Sequence, residues 1–258
     1  MSNPAVIITG GTAGIGLAVA QVLSREGWRV ALASRQLEGH DAARDWIAAD
    51  PTNRAYVATD TRDQARVDQM VAAVLERFGR IDGLVNGAAN PSPIAGPIEE
   101  LDLSPLLGDL DTKVVGYLRC AKAVVPVMKR QGAGSIVNIG GLTGRSSNTL
   151  SGLRNAAVSH FTKTLADELG PFGIRVNAVH PGIVETPHLR ELFQSEAEAR
   201  HCTPAQVEAD FVAQIPLRRV IHPEELGRVI GFLLSPTPVP ITGESIAVDA
   251  GYSRGIYL

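Results

Sequence analysis

The sequence predicts a doubly wound α/β fold on a parallel seven-stranded sheet, and three observations point to it. Short apolar runs alternate along the chain with longer amphipathic stretches, the pattern that strand–helix–strand crossovers require. The runs are nearly continuous in apolar residues, which suits strands covered by helices on both faces. A glycine-rich turn joins the first run to the first amphipathic stretch, where such sheets open toward a ligand.

The elements follow in order. "AVIITG" (5–10) reads as the first strand and 14–26 as the first helix; "RVALAS" (29–34) precedes a helix over 38–49, and "AYVATD" (55–60) one over 63–78. "IDGLVNG" (81–87) leads to a helix near 105–130, "SIVNIGG" (135–141) to one near 150–170, and "IRVNAVHPG" (174–182) to an irregular piece over 184–222. That piece, rich in Glu, Arg and Ala, follows a strand's C-terminal end, where ligands bind, and reads as a substrate lid. "HPEELGRVIGFLLS" starts with proline and acidic residues, as helix N-termini prefer, so a helix covers 223–235. "ESIAVDAG" (244–251) is the seventh strand.

At 258 residues and 45% hydrophobic content, with no composition shift along it, the chain reads as one domain over 1–258. A net charge of −3 argues against nucleic acid, which calls for a basic face. Cys120 and Cys202 have no metal-ligand spacing and read as buried filler in a reducing cytoplasm. "MSNPAVIITGG" lacks a charged n-region and an apolar run long enough for a signal peptide or membrane span. The expectation is a cytoplasmic protein with a small-molecule substrate and no bound metal, membrane or nucleic acid.

The turn "ITGGTAGIG" places Gly10, Gly14 and Gly16, with Thr12 and Ile15 between them, where a side chain would block a tight turn, a pyrophosphate or helix packing. Glycine also serves any tight turn, but the position between strand and helix favours a dinucleotide cradle of Rossmann type. At the end of the second strand, Ser34 and Arg35 stand where an acidic residue would grip a free ribose hydroxyl. Without that carboxylate, and with an arginine to pair a 2′-phosphate, NADP(H) is favoured over NAD(H). The alternative for Arg35 is a solvated surface residue.

Together with "ATDTRD", "GRIDGLVNGAA", "GSIVNI", "GIRVNAVHPGIVETP" and "TGESIAVDAGYS", these motifs resemble the short-chain dehydrogenase/reductase family over nearly the whole chain. The resemblance implies that Asp60 contacts the adenine and that Asn86, Ala88, Pro181, Gly182, Val184 and Thr186 line the nicotinamide half, Thr186 through its hydroxyl. It implies, too, a homodimer or homotetramer built through the helices near 105–130 and 150–170, where apolar residues recur at helical spacing. In this family a Tyr moves the proton, a Lys four residues on lowers its pKa, a Ser binds the carbonyl and an Asn holds a relay water. Tyr and Lys at that spacing share one helix face.

Here the Tyr position falls on Ser151, the Lys position on Asn155, the Ser position on Gly141 and the Asn position on Lys113. Counting forward from Gly141 by the family interval reaches Arg154 instead, so about three residues are missing between Gly144 and Ser151. No tyrosine occurs from 118 to 251. Serine's hydroxyl ionises well above tyrosine's value of about 10 and does not replace it. Lys113 is a candidate acid if partly buried, against a surface lysine. Arg154 is a candidate charge stabiliser, against a solvent or interface role. His160 and His180 read as structural, and His188 as part of the lid. Ser146, Ser147, Thr149 and Ser151 form a polar cluster that suits either substrate binding or a loop and helix cap. Three functions are expected in order: an oxidoreductase acting on an iminium, activated alkene or activated carbonyl; a nucleotide-binding pseudoenzyme; and a redox-neutral lyase, isomerase or cyclase.

Overall fold

The computed structural model describes residues 3–89, 94, 96–142, 149–237 and 239–254. Seven parallel strands, β1 (Ala5–Thr9), β2 (Arg29–Ser34), β3 (Arg54–Ala58), β4 (Gly83–Asn86), β5 (Gly134–Ile139), β6 (Ile174–Pro181) and β7 (Ser245–Val248), lie in the order β3-β2-β1-β4-β5-β6-β7. The order reverses between β1 and β4, where Thr9 pairs with Asn86, so their C-terminal ends open the crevice in which such sheets hold ligands.

Side chains alternate across each strand, and β1 shows what that does. Ala5 and Ile7 enter one core with Met70 and Val74 of α3 (Gln64–Phe78) and with Cys120, Val124 and Met128 of α5 (Gly116–Gln131). Val6 and Ile8 enter the other, with Val19 and Leu23 of α1 (Gly14–Arg25) and Ile230 and Leu233 of α9 (Pro223–Leu234). Burial on both faces explains why the strands lack polar alternation. Ile7→Ala would cost about 2–5 kcal/mol through the lost contacts and the remaining cavity.

Two expected elements differ. The helix foreseen near 105–130 is three pieces: α4 (Ser104–Leu110), a π-helical turn (Asp111–Val115) and α5. The irregular piece over 184–222 contains α7 (Pro187–Ala199) and α8 (Pro204–Gln214). Both begin with a Thr-Pro pair. Thr186 Oγ1 accepts from the Leu189 amide, and Thr203 forms a reciprocal capping box with Gln206. Proline needs no hydrogen-bond partner at that first position, so the pair marks a helix start, and Leu189, Phe193 and Ala197 of α7 pack against Val207 of α8. The remaining helices are α2 (Asp41–Ala48) and α6 (Gly152–Leu169).

Candidate active site

Backbone builds the nucleotide end of the crevice. Gly10 and Gly14 have φ of +67° and +50°, conformations that side chains strain. A Cβ on Gly16 would stand 2.2 Å from the Gly10 carbonyl oxygen, and one on Gly10 2.8 Å from that of Gly87. Thr9 locks the two strand ends together, its Oγ1 accepting from the amides of Gly87 and Ala88 at 3.0 and 3.3 Å. The α1 N-terminus follows Ala13, which provides no side-chain cap, and has no acidic residue in its first turn. Its amides and dipole therefore face the turn ready for an anion. Thr12 is buried and Ile15 half-buried in that turn. This cradle fits a dinucleotide pyrophosphate.

At the end of β2, Arg35 is exposed and Ser34 donates to the Gln36 carbonyl at 2.8 Å. Asp60 pairs with Arg62 at 2.7 Å; hydrogen bonding to that guanidinium holds its carboxyl down at about 2. Asn86 is fully buried, donating to Asn138 Oδ1 at 2.9 Å, and Asn138 donates on to Thr162. Pro181 ends β6, and Gly182 donates to the Val248 carbonyl. Val184 bridges to Ile221, closing the base of the α7–α8 excursion. Thr186 caps α7 and lies across from the glycine turn: a Cβ on Gly14 would be 3.8 Å from its Cγ2.

Side chains build the other end. Lys113, on the π-helical turn, is buried, and its Nζ donates to the Gly140 carbonyl just beyond β5 at 2.9 Å. Burial, then the nearby Arg154, pushes its amine down to about 7 from the usual 10.5, while Asp109 pulls the other way. Arg154 is buried on α6 and pairs with the buried Asp109 of α4. Of the two readings of Arg154, this removes the solvated one: the guanidinium meets a carboxylate inside the molecule. Asn155 is buried too, and a Cβ on Gly141 would stand 2.9 Å from its Nδ2.

Ser151 Oγ accepts from the Ile94 amide at 3.0 Å, and Thr149 donates to the Ile94 carbonyl at 2.8 Å, so both tie the start of α6 to the chain beyond β4. Ser146 and Ser147 lie outside the described residues. His180 is buried, with Nε2 3.0 Å from Ser159 Oγ and Nδ1 beside the Gly141 amide and carbonyl; His160 is exposed. Tyr117 donates to the Ile139 carbonyl and burial pushes its phenol upward, so it is no acid near neutrality. Sequence reasoning missed Asp109. The signal was its place four residues before Lys113, one helical turn away. Among the described residues no group of three or more His, Cys, Asp or Glu is arranged to hold a metal, and no helix is long and apolar enough to cross a membrane.

A family model described as Enoyl-(Acyl carrier protein) reductase matches residues 10–253. The chain is 36% identical over 252 residues, 95% of each chain, to the protein named as the monensin polyketide synthase ketoacyl reductase of Streptomyces virginiae. Among solved structures, actinorhodin polyketide ketoreductase with NADPH superposes with a TM-score of 0.89 at 30% identity, over 99% of this chain and 100% of that one. L-Sorbose reductase from Gluconobacter frateurii, complexed with NADPH and L-sorbose, gives 0.90 at 28% identity, over 99% and 98%.

Proposed function

Because the chain belongs to the short-chain dehydrogenase/reductase family, we propose that it transfers hydride between NADP(H) and a small molecule, with Lys113 providing the proton where relatives of this type use tyrosine. The cofactor is NADP(H): the uncapped α1 N-terminus and the Gly10–Gly16 turn hold the pyrophosphate, and Arg35 pairs the 2′-phosphate. When bound, the dihydronicotinamide supplies the hydride. The site is non-standard, with Ser151 and Asn155 at the positions of the family's Tyr and Lys. Lys113 and Asn155 each occupy the place where the family keeps the other residue type.

One observation carries the reading: a buried amine at the C-terminal edge of β5 whose pKa lies at about 7. An acid works best when its pKa lies near the working pH. Hydride delivered to a carbonyl carbon leaves an alkoxide, and hydride delivered to an alkene conjugated with a carbonyl leaves an enolate. In either case the Nζ–H bond breaks, the proton goes to the anion and the neutral amine regains a proton from water. An iminium accepts hydride with no proton at all. Ketoacyl and polyketide ketoreductase relatives support the carbonyl, and the enoyl reductase description of the matching model supports the alkene. Arg154 acts on the charge of this site through its ion pair with Asp109 rather than by moving a proton.

A second reading, a nucleotide-binding pseudoenzyme, draws support from the absence of tyrosine between 118 and 251 and from the locked Tyr117. NADPH titration followed by oxidation across ketones, imines and enones separates the two. Binding with turnover supports the enzyme, and binding without turnover across the panel supports the pseudoenzyme. A homodimer or homotetramer is part of the proposal, since Leu107, Leu118 and Leu153 expose apolar surface on α4, α5 and α6. A 27.3 kDa species alone in sedimentation would contradict it.

A further inference from the structure

Lys113 and Asp109 are buried with opposite charges, and among the described residues no hydrogen bond or ion pair joins them. An ammonium carries three donors, and Lys113 uses one of them on the Gly140 carbonyl. Asp109 is buried to the same degree, its Oδ2 held by Arg154, and its Oδ1 has no hydrogen-bond partner among the described residues. The two residues stand four apart where α4 runs into the π-helical turn, so they share a face. A buried carboxylate oxygen without a donor is costly unless a charge beside it needs it.

We propose that Asp109 is a positioning residue for Lys113: clamped by Arg154 from α6, its carboxylate stands one turn before the lysine and sets how readily the amine gives up its proton. The groups around that amine come from every neighbouring element. Asp109 belongs to α4, Arg154 and Asn155 to α6, and the Gly140 carbonyl to the end of β5. His180 of β6 lies beyond Gly140, its ring 2.4 Å from where a Cβ there would be. Tyr117 of α5 stays protonated on Ile139, and Asp111 on the same turn is occupied by Arg119. Asp109 is thus the anion inside the cluster, opposed to two cations. Neutralising it leaves Lys113 facing Arg154 in a poorly solvated space, which disfavours the ammonium.

The inference rests on the reading of Lys113 as proton donor, but it is measured without turnover. The lysine Nζ and Cε resonances of the isotope-labelled full-length chain are followed by NMR as pH is raised, and Lys113→Met identifies the resonance. The wild-type midpoint is expected near 7. Asp109→Asn should lower it by roughly one unit or more, while Trp fluorescence and NADPH affinity show that the fold persists. An unchanged midpoint in folded Asp109→Asn overturns the proposal. If that variant fails to fold, Arg154→Met decides: removing the opposing cation should raise the midpoint, and a fall or no change overturns it. Absence of turnover with a shifting midpoint would reject the oxidoreductase reading and leave the coupling intact.

Discussion

The two ends of the crevice are made of different materials. At the nucleotide end the cradle is backbone amides and the space left by missing side chains, within the turn from Thr9 to Gly16, with the side chain of Arg35 beyond it. At the end proposed as catalytic, the working groups are buried charges, brought together from positions as far apart as Asp109 and Arg154. A cradle of backbone tolerates changes in neighbouring side chains but not an added Cβ. A cluster of charges tolerates changes of shape but not a missing partner.

Substitutions can break each half separately. Gly16→Val should have the largest effect on cofactor binding, because its Cβ would lie 2.2 Å from the Gly10 carbonyl oxygen. Strain of about 3 kcal/mol corresponds to a loss of NADPH affinity of about 100-fold. Gly39→Ala provides the contrast: φ is +77°, but nothing lies within 4 Å of the added Cβ. It should cost about 1 kcal/mol in stability, from backbone strain alone, and leave fluorescence titration with NADPH unchanged.

Lys113→Met tests the other half through stability. The folded amine is depressed to about 7 from 10.5, so between those values the unfolded chain binds more protons than the folded one. Wild-type stability should therefore rise as pH climbs from about 7 toward 10, and the cost of the buried charge is fully present below 7. Lys113→Met removes that dependence, and urea unfolding at pH 6 should show a gain of roughly 1 to 4 kcal/mol that vanishes by pH 10. A loss at both pH values would mean that the hydrogen bond to Gly140 outweighs the burial cost.

Arg35→Asp should reverse the order of NADPH and NADH binding, by about 10- to 100-fold in relative affinity, because a carboxylate repels a 2′-phosphate and accepts a ribose hydroxyl. Equal affinities in the wild type would contradict the role given to Arg35. The smallest effect is expected from rebuilding the family set by Lys113→Asn, Ser151→Tyr and Asn155→Lys together. The tyrosine loses the bond that Ser151 makes with the Ile94 amide, costing about 1 kcal/mol. Ordinary ketone reduction should nonetheless rise by about 10-fold over wild type, less than the roughly 10²- to 10⁴-fold a well-positioned acid supplies, because Gly141 still stands at the serine position.

What was legible in the sequence divides along the same line. All seven strands and the glycine cradle are local patterns, and each stands where it was expected, with strand ends shifted by at most three residues. The helices over 187–214 were missed although Thr186-Pro187 and Thr203-Pro204 are start signals, because the apolar residues behind them, Leu189, Phe193 and Ala197 in α7 and Val207 and Phe211 in α8, are widely spaced among Glu, Arg and Ala. Lys113 was legible as a candidate because it replaces a motif residue. Asp109 was missed although it stands four residues before Lys113, since its role depends also on Arg154, a contact that neither spacing nor composition announces. Arg154 stayed open between a charge stabiliser and a solvent or interface role for the same reason: only the buried carboxylate shows it to be internal.

The central claim is that Lys113 gives the proton. It is tested most directly by single-turnover NADPH oxidation in wild type and Lys113→Met, on a substrate the wild type reduces from the ketone and enone panel, from pH 5 to 9. The account predicts a wild-type rate that falls as pH rises through about 7, where the amine loses its proton. It predicts a loss of about 10²- to 10⁴-fold in the variant at pH 6, with NADPH affinity unchanged. A variant as fast as wild type, or a wild-type profile flat across neutrality, would contradict it.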